Sequence, residues 1–276
     1  MAKYDLVVLG AGPGGYVAAI RAAQLGATCA VVEREFVGGT CLNWGCIPTK
    51  ALIKSGRVAA LARRASQFGV MTGEISVDYA VMAARKDKIV SMLRGGIEAL
   101  FKARSVTLVR GTGKITSPGE VEVTRVDGST DTLSCDNIIV ATGSEPARPR
   151  VFEFDGEKIL TSQDAVARTQ VGKSVIIIGG GFIGCEYAAL YANLGIEVTV
   201  VELLDNILAT MDTDVIKEIT RAFKKRKIKV RTGVKVEKLT REGDVAAAYL
   251  AGGEKLTADF ALVSVGRRPV SEGLGL

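Results

Sequence analysis

The sequence predicts an α/β protein of three layers, built from two copies of one β–α–β unit. Three observations carry that expectation. Apolar runs of strand length recur at residues 4–9, "YDLVVL", and 173–178, "KSVIII". Each run leads into a glycine cluster and then a helix-like stretch. In both places an acid closes the next apolar run, 23 residues after the first glycine (Gly10 to Glu33, Gly179 to Glu202).

Short continuous apolar runs suit parallel strands buried on both faces. After the first run come Gly10-Ala-Gly12-Pro13-Gly14-Gly15, a helix to about Gln24, and the strand "ATCAVVE" ending at Glu33. The second copy reads Gly179-Gly-Gly181-Phe182-Ile183-Gly184, a helix to about Leu194, and "IEVTVVE" ending at Glu202. The G-x-G-x-x-G spacing has a physical meaning. Its first glycine makes a tight turn, its second lets backbone approach a pyrophosphate, and its third lets helix and strand pack closely. The helix start then offers N–H donors and a positive dipole end to the phosphates. The acid accepts from a ribose diol. One such loop is weak evidence, but two in the same context predict two Rossmann-like dinucleotide-binding domains. A carboxylate at Glu202 repels a 2′-phosphate, so the second loop is expected to take NAD over NADP. The first loop suits either type of dinucleotide.

Between the copies, residues 77–104 read as a helix, with Val81, Ile89, Met92, Ile97 and Leu100 as its apolar face. The runs "SVTLVRG" and "EVEVTRV" read as strands, and Asp127-Gly128 as a hairpin turn. "DNIIVATGS" is a strand broken at Gly143, and "EPARPR" a linker. A helix near 213–226 and several short strands follow Glu202, the last being "DFALVSVG". The expected domains are 1–147, 148–270, and a return toward the first domain over 271–276.

Composition narrows the class. The 276 residues are 47% apolar with a net charge of +6, ample for two cores. No apolar run reaches the roughly 18 residues of a membrane span. The N-terminus enters a strand pattern without a leader-like segment, so a cytoplasmic protein with no membrane partner is expected. The basic run "KKRKIK" at 224–229 reads as a solvated helix end, and no nucleic-acid partner is expected.

Five cysteines and no histidine are present. Cys29, Cys135 and Cys185 lie in apolar stretches and read as small buried hydrophobes. Cys41 and Cys46 sit in "GTCLNWGCIPTK". Without histidine or a second cysteine pair, no metal site is expected. Two cysteines five apart in one helix cannot bridge, since a disulfide needs Cα atoms roughly 4.4–6.8 Å apart. A bridge therefore requires Cys41 in a loop folding back on a helix start. Pro48 suits the first turn of that helix. Cys46 then sits where aligned N–H groups favour a thiolate, and Lys50 lies one turn along the same face. The residues alone leave both a redox pair and two buried thiols open.

The motif "GGTCLNWGCIPTKAL", both glycine loops, "ATGS" and "VGRRP" resemble the pyridine nucleotide-disulfide oxidoreductases over the whole chain. "CLNWGCIPTK" with Glu202 is nearest to members that oxidise dihydrolipoamide. The mercuric-type "CVNVGCVPSK" and the "VPKK" of glutathione-type reductases differ from it. The resemblance implies FAD in the first domain and NAD in the second. It implies that Cys41 exchanges with the substrate sulfur, that Cys46 faces the flavin, and that Lys50 and Glu186 pair near the flavin edge. FAD would be held by Gly10, Gly12, Pro13, Gly14, Gly15, Glu33, Gly39, Thr40, Cys41, Lys50, Gly113, Thr142, Gly143 and Ser144. NAD would be held by Gly179, Gly181, Phe182, Ile183, Gly184, Glu186, Glu202, Val236 and Gly266, with Phe182 as a gate. The implied activity is NAD-dependent oxidation of dihydrolipoamide. The implied partners are lipoyl domains of 2-oxo acid dehydrogenase or glycine cleavage complexes. The alternatives are another disulfide or mercuric-type reductase, or a non-catalytic dinucleotide-binding fragment. The family pattern continues past "RRPV" into a "GD" segment and a dimerisation domain bearing a His–Glu pair. The expectation is therefore a homodimeric full-length parent and a chain that, lacking that domain, is slow or inactive alone.

Overall fold

Alternating apolar residues set the sheets in the computed structural model, which describes residues 3–276. In chain order the elements are β1 (Lys3–Leu9), α1 (Pro13–Gln24), β2 (Cys29–Glu33), α2 (Gly39–Asn43), α3 (Cys46–Ala62), α4 (Tyr79–Ala103), β3 (Thr107–Arg110), β4 (Thr112–Ser117), β5 (Glu120–Thr124), β6 (Thr130–Val140), β7 (Ser144–Pro146) and β8 (Ile159–Leu160). Then follow α5 (Ser162–Ala167), β9 (Ser174–Ile178), α6 (Phe182–Leu194), β10 (Glu197–Val201), α7 (Thr213–Lys225), β11 (Lys229–Arg231), β12 (Val236–Glu242), β13 (Val245–Leu250), β14 (Lys255–Ala258), β15 (Phe260–Val263) and β16 (Arg267–Pro269).

Two compact units result. The first runs to Ile47 and resumes over Lys88–Glu145 and Arg268–Leu276. Its sheet has the order β3-β2-β1-β6-β5-β4. The strands β3, β2, β1 and β6 are parallel, while β6, β5 and β4 form an antiparallel meander. Successive β1 side chains serve opposite cores, as a period of two requires. Leu6 and Val8 pack with Ala19, Val31, Ile97 and Phe101. Val7 and Leu9 pack with Val32, Val121, Val123 and Leu133. The turn expected at Asp127-Gly128 joins β5 to β6, with Gly128 at φ +83°.

The second unit comprises Pro48–Asp87 and Pro146–Arg267. Its five-stranded sheet, β11-β10-β9-β15-β8, is wholly parallel. One face packs Val175, Ile177, Val198 and Val200 against Tyr187, Leu190 and Tyr191 of α6. The other packs Ile176, Ile178 and Val201 against Leu239, Ala246 and Ala248 of the antiparallel sheet β12-β13-β14. These are the three expected layers.

Three expectations differ from the structure. Residues 48–87 group with the second unit, whereas the sequence placed all of 1–147 together. The reason is local. Leu52 joins the α6 core, and Gly56 is so close that a Cβ there would lie 3.1 Å from Leu190 Cδ1. The helix expected at 77–104 forms, but Val81, Met92 and Leu100 of its assigned face are exposed. The buried positions are Tyr79, Met82, Ala83, Lys86, Val90, Ile97 and Phe101. The lysine masks the stripe. Lys86 Nζ is buried because it donates to the Val166 carbonyl at 2.9 Å. Finally, β6 runs from the hairpin through Val140 without a break before "DNIIV".

The short helix α5 was not read from the sequence, and its N-cap holds it. Thr161 Oγ1 accepts from Asp164 N–H, and Asp164 Oδ2 accepts from Thr161 N–H at 2.8 Å. Thr161→Ala should cost the second unit about 1 kcal/mol, whereas Thr161→Ser keeps the cap. Urea melts comparing the two variants check this, and equal midpoints would remove the cap from that role.

Candidate functional site

The two glycine loops repeat each other in detail. Gly10 and Gly179 turn at φ +97° and +101°, a region a side chain disfavours. A Cβ at Gly15 would lie 1.8 Å from the Gly10 carbonyl oxygen, and one at Gly184 would lie 1.9 Å from that of Gly179. Only glycine lets each helix start so near its strand. Gly12 and Gly181 cap α1 and α6 with no side-chain acceptor. A Cβ at Gly181 would meet no atom within 4 Å, and one at Gly12 only Gly39 Cα, at 3.7 Å. Both second glycines thus face open space, with uncapped helix N–H groups beside it. Pro13 and Gly14 form the first turn of α1, and Phe182 and Ile183 that of α6, with Phe182 exposed.

Each acid reaches back to its loop. Glu33 accepts from Ala11 N–H and Glu35 N–H, both at 2.8 Å. Glu202 accepts from Gly180 N–H at 2.5 Å and Leu204 N–H at 2.8 Å. Every carboxylate oxygen keeps lone-pair capacity for a diol.

In the first unit, Gly10, Glu33, Gly113 and Thr142 line one cavity of about 170 Å³. Gly113 packs tightly, since a Cβ there would lie 2.7 Å from Leu9 Cδ2 and the Leu9 side chain would have to shift. Thr142 Oγ1 donates to the Val270 carbonyl at 2.5 Å, and the Gly143 carbonyl accepts from Val270 N–H at 3.0 Å. Thr40 Oγ1 donates to the Ser144 carbonyl at 3.2 Å. Sequence reasoning missed Arg34, Thr112, Val270, Glu272 and Leu274 in this cavity wall. No motif marks them.

Cys41 was expected in a loop. It lies instead in the short helix α2, half-buried. The reversal comes at Trp44-Gly45, after which exposed Cys46 opens α3. A Cβ at Gly45 would lie 3.3 Å from Cys41 Cα, so the chain folds directly back on Cys41. Gly39 is equally close to the glycine loop, where a Cβ would lie 2.6 Å from Gly12 Cα. The thiol segment is therefore built against the first cradle. Asn43, also missed, pins it. Its Nδ2 donates to the carbonyls of Val37 (3.0 Å) and Gly39 (2.9 Å), while its Oδ1 accepts from Arg94 Nη2 at 2.7 Å. Cys29, Cys135 and Cys185 are buried, and burial raises each thiol. Cys185 is pushed up to about 12, with Glu202 and Glu186 adding to the effect.

In the second unit, Lys50 Nζ lies 2.6 and 2.7 Å from the two oxygens of Glu186, which stands two residues after Gly184. Gly266 turns at φ +136° in open space. Val236 is buried in the core under β12, so only its backbone can face a ligand. The segment holding Ile207 and Leu208 was missed. Leu208 N–H donates to the Gly180 carbonyl at 2.8 Å, and Ile207 backs Gly180 closely.

Residues 4–276 match the family described as pyridine nucleotide-disulphide oxidoreductase. The chain belongs to this family. It is 42% identical over 287 residues to dihydrolipoyl dehydrogenase of Bacillus subtilis, covering 99% of this chain and 60% of that protein. It is 43% identical over 279 residues to leghemoglobin reductase of Vigna unguiculata, covering 99% and 53%. Among solved structures, LpdA from Mycobacterium tuberculosis superposes with a TM-score of 0.91 at 28% identity, over 100% of this chain and 61% of that one. The chain thus spans between half and two thirds of the length of these relatives. Pyridine nucleotide-disulphide oxidoreductases use FAD and NAD. Both loops fit a dinucleotide, each having open space over its second glycine, uncapped helix N–H donors and a braced carboxylate. No helix among the described residues is long and apolar enough to cross a membrane.

The glycines separate folding from binding. Gly184→Ala should disrupt the second unit, because its Cβ overlaps backbone. Gly181→Ala should leave the melting temperature nearly unchanged yet weaken NADH binding, because its Cβ enters only ligand space. Thermal melts and NADH fluorescence titration check the pair, and a Gly181→Ala variant that binds NADH normally would contradict the cradle.

Proposed function

We propose that this protein is a flavin-dependent disulfide oxidoreductase that oxidises dihydrolipoamide, with FAD at the Gly10–Gly15 loop and NAD at the Gly179–Gly184 loop. The observation that carries the reading is the close packing of the thiol segment on the first cradle, Gly39 against Gly12 and Gly45 against Cys41. Cys41 and Cys46 belong to the same unit as that cradle, which supports a thiol pair working beside a dinucleotide. The relatives named dihydrolipoyl dehydrogenase support the substrate. They also support partnership with lipoyl domains of 2-oxo acid dehydrogenase or glycine cleavage complexes and a homodimeric whole protein. The cytoplasmic setting rests on the cysteines instead, since a reducing compartment keeps Cys29, Cys135 and Cys185 as thiols.

The chemistry begins at an oxidised Cys41–Cys46 pair. A substrate thiolate attacks Cys41 Sγ, the S–S bond breaks, and Cys46 leaves as a thiolate. The second substrate thiol, once deprotonated, displaces Cys41 and closes the lipoamide disulfide. Two electrons then rest on Cys41 and Cys46. FAD supplies two-electron transfer from such a dithiol to a nicotinamide. Cys46 suits the leaving role, since it opens α3 and is exposed. Asn43 and Arg94 hold the segment through both turns of the cycle. Lys50 and Glu186 neutralise each other on α3 and α6 and add no net charge beside the second loop. The 276 residues contain no histidine, so no imidazole of this chain takes the thiol proton, and this chain alone turns over slowly.

Glu202 sets the pyridine nucleotide. Its carboxylate meets the ribose diol and repels a 2′-phosphate. Glu202→Arg should lower the ratio of NADPH to NADH dissociation constants at least about tenfold, read by fluorescence titration of folded protein. An unchanged ratio would take Glu202 out of that role.

A further inference from the structure

The strand register of the second unit gathers polar residues that the dinucleotide chemistry does not use. Val175, Val198 and Val230 turn toward the α6 side of the sheet. Their neighbours in the strands, Ser174, Ile176, Glu197, Thr199, Lys229 and Arg231, therefore turn to the other face. Registry puts Ser174 beside Glu197, and Ile176 beside Thr199 beside Lys229. Over Ile178 and Val201 that face is closed by the antiparallel sheet. Toward the strand starts the cover consists of Leu256, Thr257 and Ala258, and a cavity of about 360 Å³ remains. The Gly179 loop lies at the opposite ends of the same strands, about 16 Å along the chain from Ser174 at roughly 3.3 Å per strand residue.

We propose that this cavity binds a small phosphorylated sugar. Lys229 and Arg231 would hold the phosphate, Arg231 with its two-pronged guanidinium. Glu197 and Thr199 offer acceptors and a hydroxyl to the sugar hydroxyls, while Thr257, whose side chain alternates away from Leu256 and Ala258, borders the cavity with its main chain. Ile176, Leu256 and Ala258 form an apolar floor for its C–H face. The volume suits a hexose phosphate. Both cations carry acidic partners without a ligand, Glu197 on Lys229 at 2.5 Å and Glu254 on Arg231 at 2.7 Å. The Lys229–Glu197 pair is exposed and holds weakly, whereas Arg231 grips Glu254 with both prongs, two bonds of 2.7 Å, so a bound phosphate takes over that two-pronged contact from Glu254 and frees Glu197 for hydroxyls. Lys224, Lys225, Arg226 and Lys227 lead from the end of α7 to β11 and have no ion-pair partner among the described residues. Their field concentrates anions at the cavity. Charged side chains on an edge strand also discourage strand addition, but that role requires no cavity behind them.

The inference is independent of the proposed reaction. Its test is a titration of the 276-residue chain with glucose 6-phosphate, with inorganic phosphate in parallel, followed by amide NMR. Saturable shifts are expected at Ser174, Thr199 and Thr257 and not at Gly179–Gly184. Lys229→Met and Arg231→Gln should each weaken binding at least about tenfold. Glu197→Gln should weaken glucose 6-phosphate while sparing phosphate. Absence of saturation by about 10 mM, unchanged affinity in folded Arg231→Gln, or shifts confined to the glycine loop would each overturn it. Equal affinity for inorganic phosphate would reject the sugar.

Discussion

A helix packed onto a strand at sub-van-der-Waals range for any side chain is the constraint on which the rest depends. Gly15 and Gly184 carry it, each within 2 Å, by a notional Cβ, of the carbonyl of the loop's first glycine. That approach obliges Gly10 and Gly179 to turn with positive φ. It aims α1 and α6 N-terminus first at the space above the strand ends, where their unpaired N–H groups meet an anion. Nothing in the apolar cores specifies this direction. Cores built from Val and Ile accept a helix at several offsets, whereas a backbone contact of this kind accepts one.

The acids complete the same constraint. Glu33 and Glu202 each take the N–H after the first glycine and a second N–H two residues beyond themselves. They are thus braces before they are ligands, and a diol meets a carboxylate already fixed in place. The first loop bears one addition that the second lacks. Gly39 seats the thiol segment on Gly12, and Asn43 with Arg94 keeps that segment from relaxing. Arg94 also lies over the Phe36 ring at 3.9 Å, so its guanidinium is held from two directions.

Much of this was legible in the sequence because period and punctuation agreed. The apolar runs, the paired G-x-G-x-x-G loops and the two acids placed both sheets and both cradles. What escaped was set by partners far along the chain. The buried face of α4 includes Lys86, whose acceptor lies on α5, so a hydropathy stripe selected the wrong side. Residues 48–87 pack by way of Gly56 and Leu52 against α6, a contact that no local pattern announces. Cys41 was placed in a loop because five residues separate it from Cys46. The chain instead holds Cys41 in one short helical turn and reverses at Gly45, just before Cys46. Val236 sits inward because β12 alternates against a core that the sequence alone does not position.

The central claim is that Cys41 and Cys46 form the exchanging disulfide of this fold. Alkylation and peptide mapping of the oxidised chain, before and after dihydrolipoamide, test it most directly. The account predicts one peptide carrying both cysteines, lighter by two hydrogens when oxidised and opened by dihydrolipoamide, with Cys29, Cys135 and Cys185 remaining thiols throughout. A bridge that includes any of those three, or a Cys41–Cys46 pair that dihydrolipoamide leaves closed, would contradict it.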